Sequence, residues 1–166
     1  MTPRRSLVAL AAPAAVLLLC GAQSTSCEAP AGKPGAVKQV YVESNAPGWP
    51  MAAAVAEWRR AGVSRVHYGK CRKGAKCVKV TAKPIPGKIS GQTDVLFGGG
   101  SIVLDSSQAW SARERREITV HELGHSLGAL HNNVIRGQVW SCMNAHLEKI
   151  RTPCRITATD VKLARS

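Results

Sequence analysis

Residues 121–131 read His-Glu-Leu-Gly-His-Ser-Leu-Gly-Ala-Leu-His, and the fold is read outward from them. On a helix, residues four apart stand one above the other. His121 and His125 can therefore offer imidazole nitrogens to one metal ion. Glu122 is turned about 100° from His121, so it can reach a water on the ion without occupying the ion. His131 would be carried away by a continuing helix. Gly128 can take the backbone turn that ends the helix and brings His131 back as third ligand. Three neutral imidazoles leave a zinc ion its full charge and an open position, the arrangement of a catalytic rather than a structural site.

Upstream, Ser111-Ala-Arg-Glu114 is a capping box that starts this helix. Ile118, His121, Glu122 and His125 share one face. Val120, Leu123, Gly124 and Leu127 form another, expected to pack on a sheet, with Gly124 allowing close approach. Gly98-Gly-Gly-Ser101 leads into a predicted strand, Ile102–Asp105, and its glycines permit another backbone to come near. Further strands are predicted over 37–43, 63–68, 77–81 and 92–97. A helix is predicted over 51–61, from Pro50 to a stop at Gly62, with Met51, Ala54, Val55 and Trp58 on one face. Residues 131–157 read as irregular, and Thr157-Ala-Thr-Asp160 opens a last helix. The class is α+β: one domain over 37–166, a twisted mixed sheet, two main helices and a short C-terminal one.

The chain has 166 residues and a formal net charge of +13. Residues 1–22 read as a secretory signal: Arg4 and Arg5, an apolar run from Leu7 to Cys20, then small residues. The run is broken by Pro13 and is too short to span a bilayer comfortably, so no transmembrane span is expected in the mature form. Residues 23–36 have linker composition. Export makes disulfides plausible, and proximity groups Cys71 with Cys77, expected to staple a hairpin, and Cys142 with Cys154. Cys20 or Cys27 could instead carry a lipid. From Arg59 to Lys88 there are ten Lys or Arg and no Asp or Glu. This is either a patch for an anionic cell-surface polymer or a solvated face. The second reading is preferred, because no aromatic interleaving or nucleic-acid motif accompanies the charge. No specific nucleic-acid partner is expected.

The stretch 121–131 resembles the signature of the metzincin zinc proteases, His-Glu-x-x-His-x-x-Gly-x-x-His. Ser141-Cys-Met143-Asn resembles their methionine turn. Gly100, Ser101 and Ile102 resemble the matrixin edge strand that pairs with extended substrate. The small size and the Cys142–Cys154 bracket are similar to the secreted snapalysin-like proteases, although their third ligand is usually Asp. The resemblance implies a zincin fold and a monomeric, secreted endopeptidase with one catalytic Zn2+ on His121, His125 and His131. Glu122 would be the general base, and Met143 and Gly128 its structural support. The substrate would be a protein or peptide. Two other functions stay open: a zinc hydrolase of cell-wall amides, and a basic binding module whose zinc is structural.

Overall fold

The computed structural model describes residues 38–87, 89–96, 99–133, 135–136, 139–145 and 152–165. The readings of residues 1–22 and 23–36 lie outside them.

Alternation builds the sheet. On β1 (Val40–Asn45), Val40 and Val42 are buried while Tyr41 and Glu43 face the other way. After α1 (Met51–Arg60) the pattern returns in β2 (Val66–Tyr68) and β3 (Lys76–Lys83), which bury Val66, Val78 and Val80. β4 (Gly91–Leu96) precedes β5 (Gly99–Asp105), which buries Ile102 and Leu104. The strand order is β2-β1-β3-β5-β4, with every pairing parallel except β4 on β5.

Two expectations are corrected by this order. β2 and β3 form no hairpin, because each pairs in parallel with β1 from opposite sides. The Cys71–Cys77 disulfide is formed, with 5.4 Å between Cα atoms, but it closes the loop leading into β3. The edge strand at this end of the sheet is β4, with β2 at the other, and Gly100, Ser101 and Ile102 lie on β5 inside the sheet. A short antiparallel strand reaching the edge leaves no signal in its own composition to separate it from its neighbour. Glycine at position 100 has a reason in this arrangement: a Cβ there would meet the Asp94 carbonyl oxygen of β4 at 2.5 Å.

The buried side of the sheet carries two helices. α1 presents Met51, Ala54, Val55 and Trp58 to the core, as its periodicity predicts. α2 (Ala112–Ser126) starts at the predicted capping box, with Ser111 Oγ accepting from the Glu114 amide and Glu114 from the Ser111 amide. The Gly124 face of α2 meets α1 and the methionine segment: Trp58 donates its indole N–H to the Val120 carbonyl at 3.0 Å. A Cβ on Gly124 would fall 2.7 Å from Trp58 Cζ2 and 2.3 Å from Met143 Sδ. The segment beyond α2 holds two-residue strands, β6 (Ile135–Arg136) and β7 (Val139–Trp140), before α3 (Ala158–Arg165). Arg65 belongs to the basic stretch yet is structural: its guanidinium donates to the carbonyls of Leu127 and Ala164, at the ends of α2 and α3. No helix among the described residues is long and apolar enough to cross a membrane.

Candidate metal centre and its cleft

α2 is buried along most of its second half, so His121 and Glu122 enter the site from a rigid element. The helix ends in a Schellman motif. The Gly128 amide bonds the His125 carbonyl and the Ala129 amide bonds the Gly124 carbonyl, both at 2.9 Å. Gly128 has φ of 100°, the left-handed conformation that glycine takes without penalty. The reversal brings His131 back over the helix it has just left.

The three histidines meet. His125 Nε2 lies 3.0 Å from His121 Nε2 and 3.2 Å from His131 Nε2. The opposite ring nitrogens settle the tautomers of two of them. His121 Nδ1 donates to the Cys142 carbonyl at 2.8 Å and His125 Nδ1 to the Ala129 carbonyl at 2.9 Å. A carbonyl can only accept, so those protons sit on Nδ1 and the Nε2 lone pairs converge. Burial, then the neighbouring His125, holds His121 down to about 3, against the pull of the Cys142 carbonyl. His125 is also lowered, first by burial. Both rings are therefore neutral at neutral pH. Converging lone pairs repel unless a cation lies between them. Tetrahedral nitrogens 2.0–2.1 Å from an ion stand about 3.3 Å apart, close to the spacing found here. His121, His125 and His131 could hold a metal ion, and the donor set fits one.

Glu122 is fixed from the edge strand. Thr93 Oγ1 lies 2.5 Å from Glu122 Oε2 and 3.1 Å from the Glu122 carbonyl. Gly91 leaves room for the carboxylate, since a Cβ there would fall 2.8 Å from Glu122 Oε1. Burial raises Glu122 to about 7, with the Thr93 hydrogen bond acting the other way. A cavity of about 390 Å³ opens over this group. Ser90, Gly91, Gln92 and Thr93 line one side of it, Asn144 and Ala145 another, with the three histidines and Glu122 between.

Met143 is fully buried and packs on Gly124, one residue before His125. The predicted Cys142–Cys154 bridge brackets it. Asp160, at the start of α3, is the residue whose role the sequence left unread. Fully buried, it accepts from Ser141 Oγ at 2.8 Å, from Asn132 Nδ2 at 2.8 Å and from the Thr157 amide at 2.7 Å. Ser141 Oγ in turn accepts from the Met143 amide, and the Asn132 amide donates to the Met143 carbonyl. One carboxylate thus ties the residue after His131 to the methionine segment. Thr157-x-x-Asp160 was legible as a helix start, but the long-range half of its bonding carries no local mark.

The predicted Gly100, Ser101 and Ile102 do not line the cleft, and Ile102 is fully buried. They support β4, whose Gly91 and Thr93 reach Glu122 instead. Comparison with known proteins finds no family model and no curated protein sequence that matches this chain.

Proposed function

We propose that the chain is a secreted zinc-dependent endopeptidase of the metzincin type. One observation carries the proposal: three imidazoles whose Nε2 atoms converge on one point, beside a buried carboxylate, at the floor of an open cleft. A structural site would be closed by four protein ligands and would have no use for Glu122.

His121, His125 and His131 would hold the zinc, which when bound acidifies a water and polarises the scissile carbonyl. Glu122 lines the same cavity as the three histidines. Its carboxylate takes the proton from the attacking water and delivers it to the leaving nitrogen. A carboxyl held near neutrality by burial is matched to both halves of this transfer. Thr93 orients the carboxylate, and the Cys142 and Ala129 carbonyls keep the ligand tautomers. β4 is the edge strand beside the site, and an extended peptide can add to such an edge by main-chain hydrogen bonds. The two disulfides suit an oxidising, extracellular setting.

The deciding experiment is cleavage of a peptide library by wild type and Glu122→Ala, with zinc content measured on both. Stoichiometric zinc in both and cleavage by wild type alone is the expected result. Absence of cleavage by zinc-loaded wild type would overturn the reading. A second substrate class, cell-wall amides, is favoured by the basic stretch. Turnover on isolated cell wall against casein-like protein separates the two.

A further inference from the structure

The outer side of the sheet, opposite α1 and α2, gathers part of the basic stretch, Lys70, Arg72, Lys73, Lys79 and Lys83, onto one face. Residues alternate along β3, so Cys77, Lys79 and Lys83 point away from the buried Val78 and Val80. The bridge from Cys77 to Cys71 draws the loop before β3 onto this same side. That loop carries Lys70, Arg72 and Lys73, all exposed or nearly so. Two contacts fix it there. The Cys71 amide donates to Glu43 Oε2 at 3.0 Å, and the Arg72 guanidinium lies 4.9 Å from the centre of the Tyr41 ring. Tyr41 also stacks on His67, with ring centres 5.1 Å apart. The strand pairing thus places an aromatic residue from outside the basic stretch beneath its loop. Glu43 is already engaged by Lys79 at 2.9 Å. Among the described residues, no carboxylate forms an ion pair with Lys70, Arg72, Lys73 or Lys83.

We infer that this face is a docking surface for a linear polyanion of a cell surface, its charges borne on a sugar or polyol backbone. Charge complementarity is the argument. A cross-linked loop holds its cations in place before the partner arrives, so little ordering remains to be done on binding. A linear polymer suits this face better than a compact anion, because Lys79 and Lys83 are spaced along β3 and Lys70, Arg72 and Lys73 along the loop before it. Single-stranded nucleic acid fits less well, since its binding relies on aromatic faces open for base stacking. Tyr41 already has Arg72 over its ring and His67 stacked on it. The metal centre lies on the helix side of the sheet. A docked polymer would leave the cleft open, and the inference does not depend on the chemistry proposed there.

The test is binding of the purified chain to poly(glycerol phosphate), with neutral dextran, oligothymidylate and phosphatidylglycerol vesicles as comparison arms. Two variants each remove two positive charges: Lys73→Gln with Lys83→Gln on this face, and Arg60→Gln with Lys162→Gln on α1 and α3. Expected is binding to poly(glycerol phosphate) that the first variant weakens by about tenfold, with a log–log salt slope lower by about 1.5. The second variant should bind like wild type. All four positions are exposed, and equal thermal midpoints check that folding is intact. Equal loss in both variants would reduce the effect to net charge and overturn the inference. So would unchanged binding by the first variant, or equal or tighter binding of oligothymidylate or vesicles.

Discussion

The Thr93 hydroxyl on the edge strand lies 2.5 Å from the carboxylate of Glu122 on α2. This contact ties the edge strand beside the cleft to the carboxylate proposed to move the proton. Replacing Thr93 by Val removes a hydrogen bond that holds the carboxyl down. Glu122 then rises further, and the acidic limb of the pH profile of kcat/KM moves to higher pH. The expected loss at neutral pH is about tenfold, with Thr93→Ser restoring most of it. A pH profile of the three proteins on one peptide checks this, and an unmoved acidic limb would remove Thr93 from the account.

Asp160 makes a second prediction. Asp160→Ala leaves Ser141, Asn132 and the Thr157 amide without their buried acceptor. The expected destabilisation is about 3 kcal/mol, read by urea unfolding. Zinc affinity should also fall by about tenfold, because the segment after His131 loses one of its two ties to the methionine segment. Competition with a chromophoric chelator measures that second effect.

Gly124 tests the packing beneath the centre. Alanine favours a helix interior over glycine by about 1 kcal/mol. Here the added Cβ would fall 2.3 Å from Met143 Sδ and 2.7 Å from Trp58 Cζ2. Overpacking of this kind costs about 1–3 kcal/mol, so Gly124→Ala should lower the thermal midpoint despite the better helix former. A raised midpoint would show that Met143 can move aside freely.

The disulfides should differ in consequence. Cys142 and Cys154 are 12 residues apart and enclose Met143, whereas Cys71 and Cys77 are 6 apart on the far side of the sheet. Loop-closure entropy gives about 3 kcal/mol for the first and about 2 kcal/mol for the second. Cys142→Ala with Cys154→Ala should weaken metal binding as well as stability. The corresponding Cys71 and Cys77 pair should lower stability with metal affinity unchanged.

Acid should unfold the metal-free protein early. An unfolded imidazole takes its proton near 6.5, but folded His121 only at about 3. Between those values the unfolded state holds the extra proton, which costs stability as pH is lowered. Glu122, raised to about 7 in the fold from 4.5, has the opposite sign and offsets this down to about 4.5. The net loss therefore falls between about 4.5 and 3 and is on the order of 2 kcal/mol. Asp105 extends the loss below 3.8. Burial pushes its carboxyl up, but bonds from Ser107, Ile85 and Gln108 outweigh this and hold it at about 2. Urea midpoints of the metal-free protein from pH 5 to pH 3 test the slope.

Much of this was legible in order along the chain. Spacing gave His121, Glu122, His125 and His131, and a capping box and a helix-ending glycine gave the element that presents them. Short-range patterns carry such information because each residue's partner lies within one or two turns. The remainder depends on pairing between distant segments. Nothing near Thr93 or Gly91 announces that β4, rather than the glycine-led β5, forms the edge and reaches Glu122. Nothing near Asp160 announces that it closes on Ser141 and Asn132. Nor does the run of lysines announce that Tyr41, from a different strand, lies under Arg72.

The bonds made by Asp160 also bear on the order of assembly during synthesis. A growing chain that has not yet extended into α3 already contains the helix with His121 and His125. It lacks the carboxylate that links the Asn132 side chain to Ser141, and the bond from the Asn132 amide to the Met143 carbonyl ties the two segments without it. The second tie beneath the three histidines is therefore made only when a late-made residue docks. The sheet and the first two helices have time to form before the candidate centre is braced from α3.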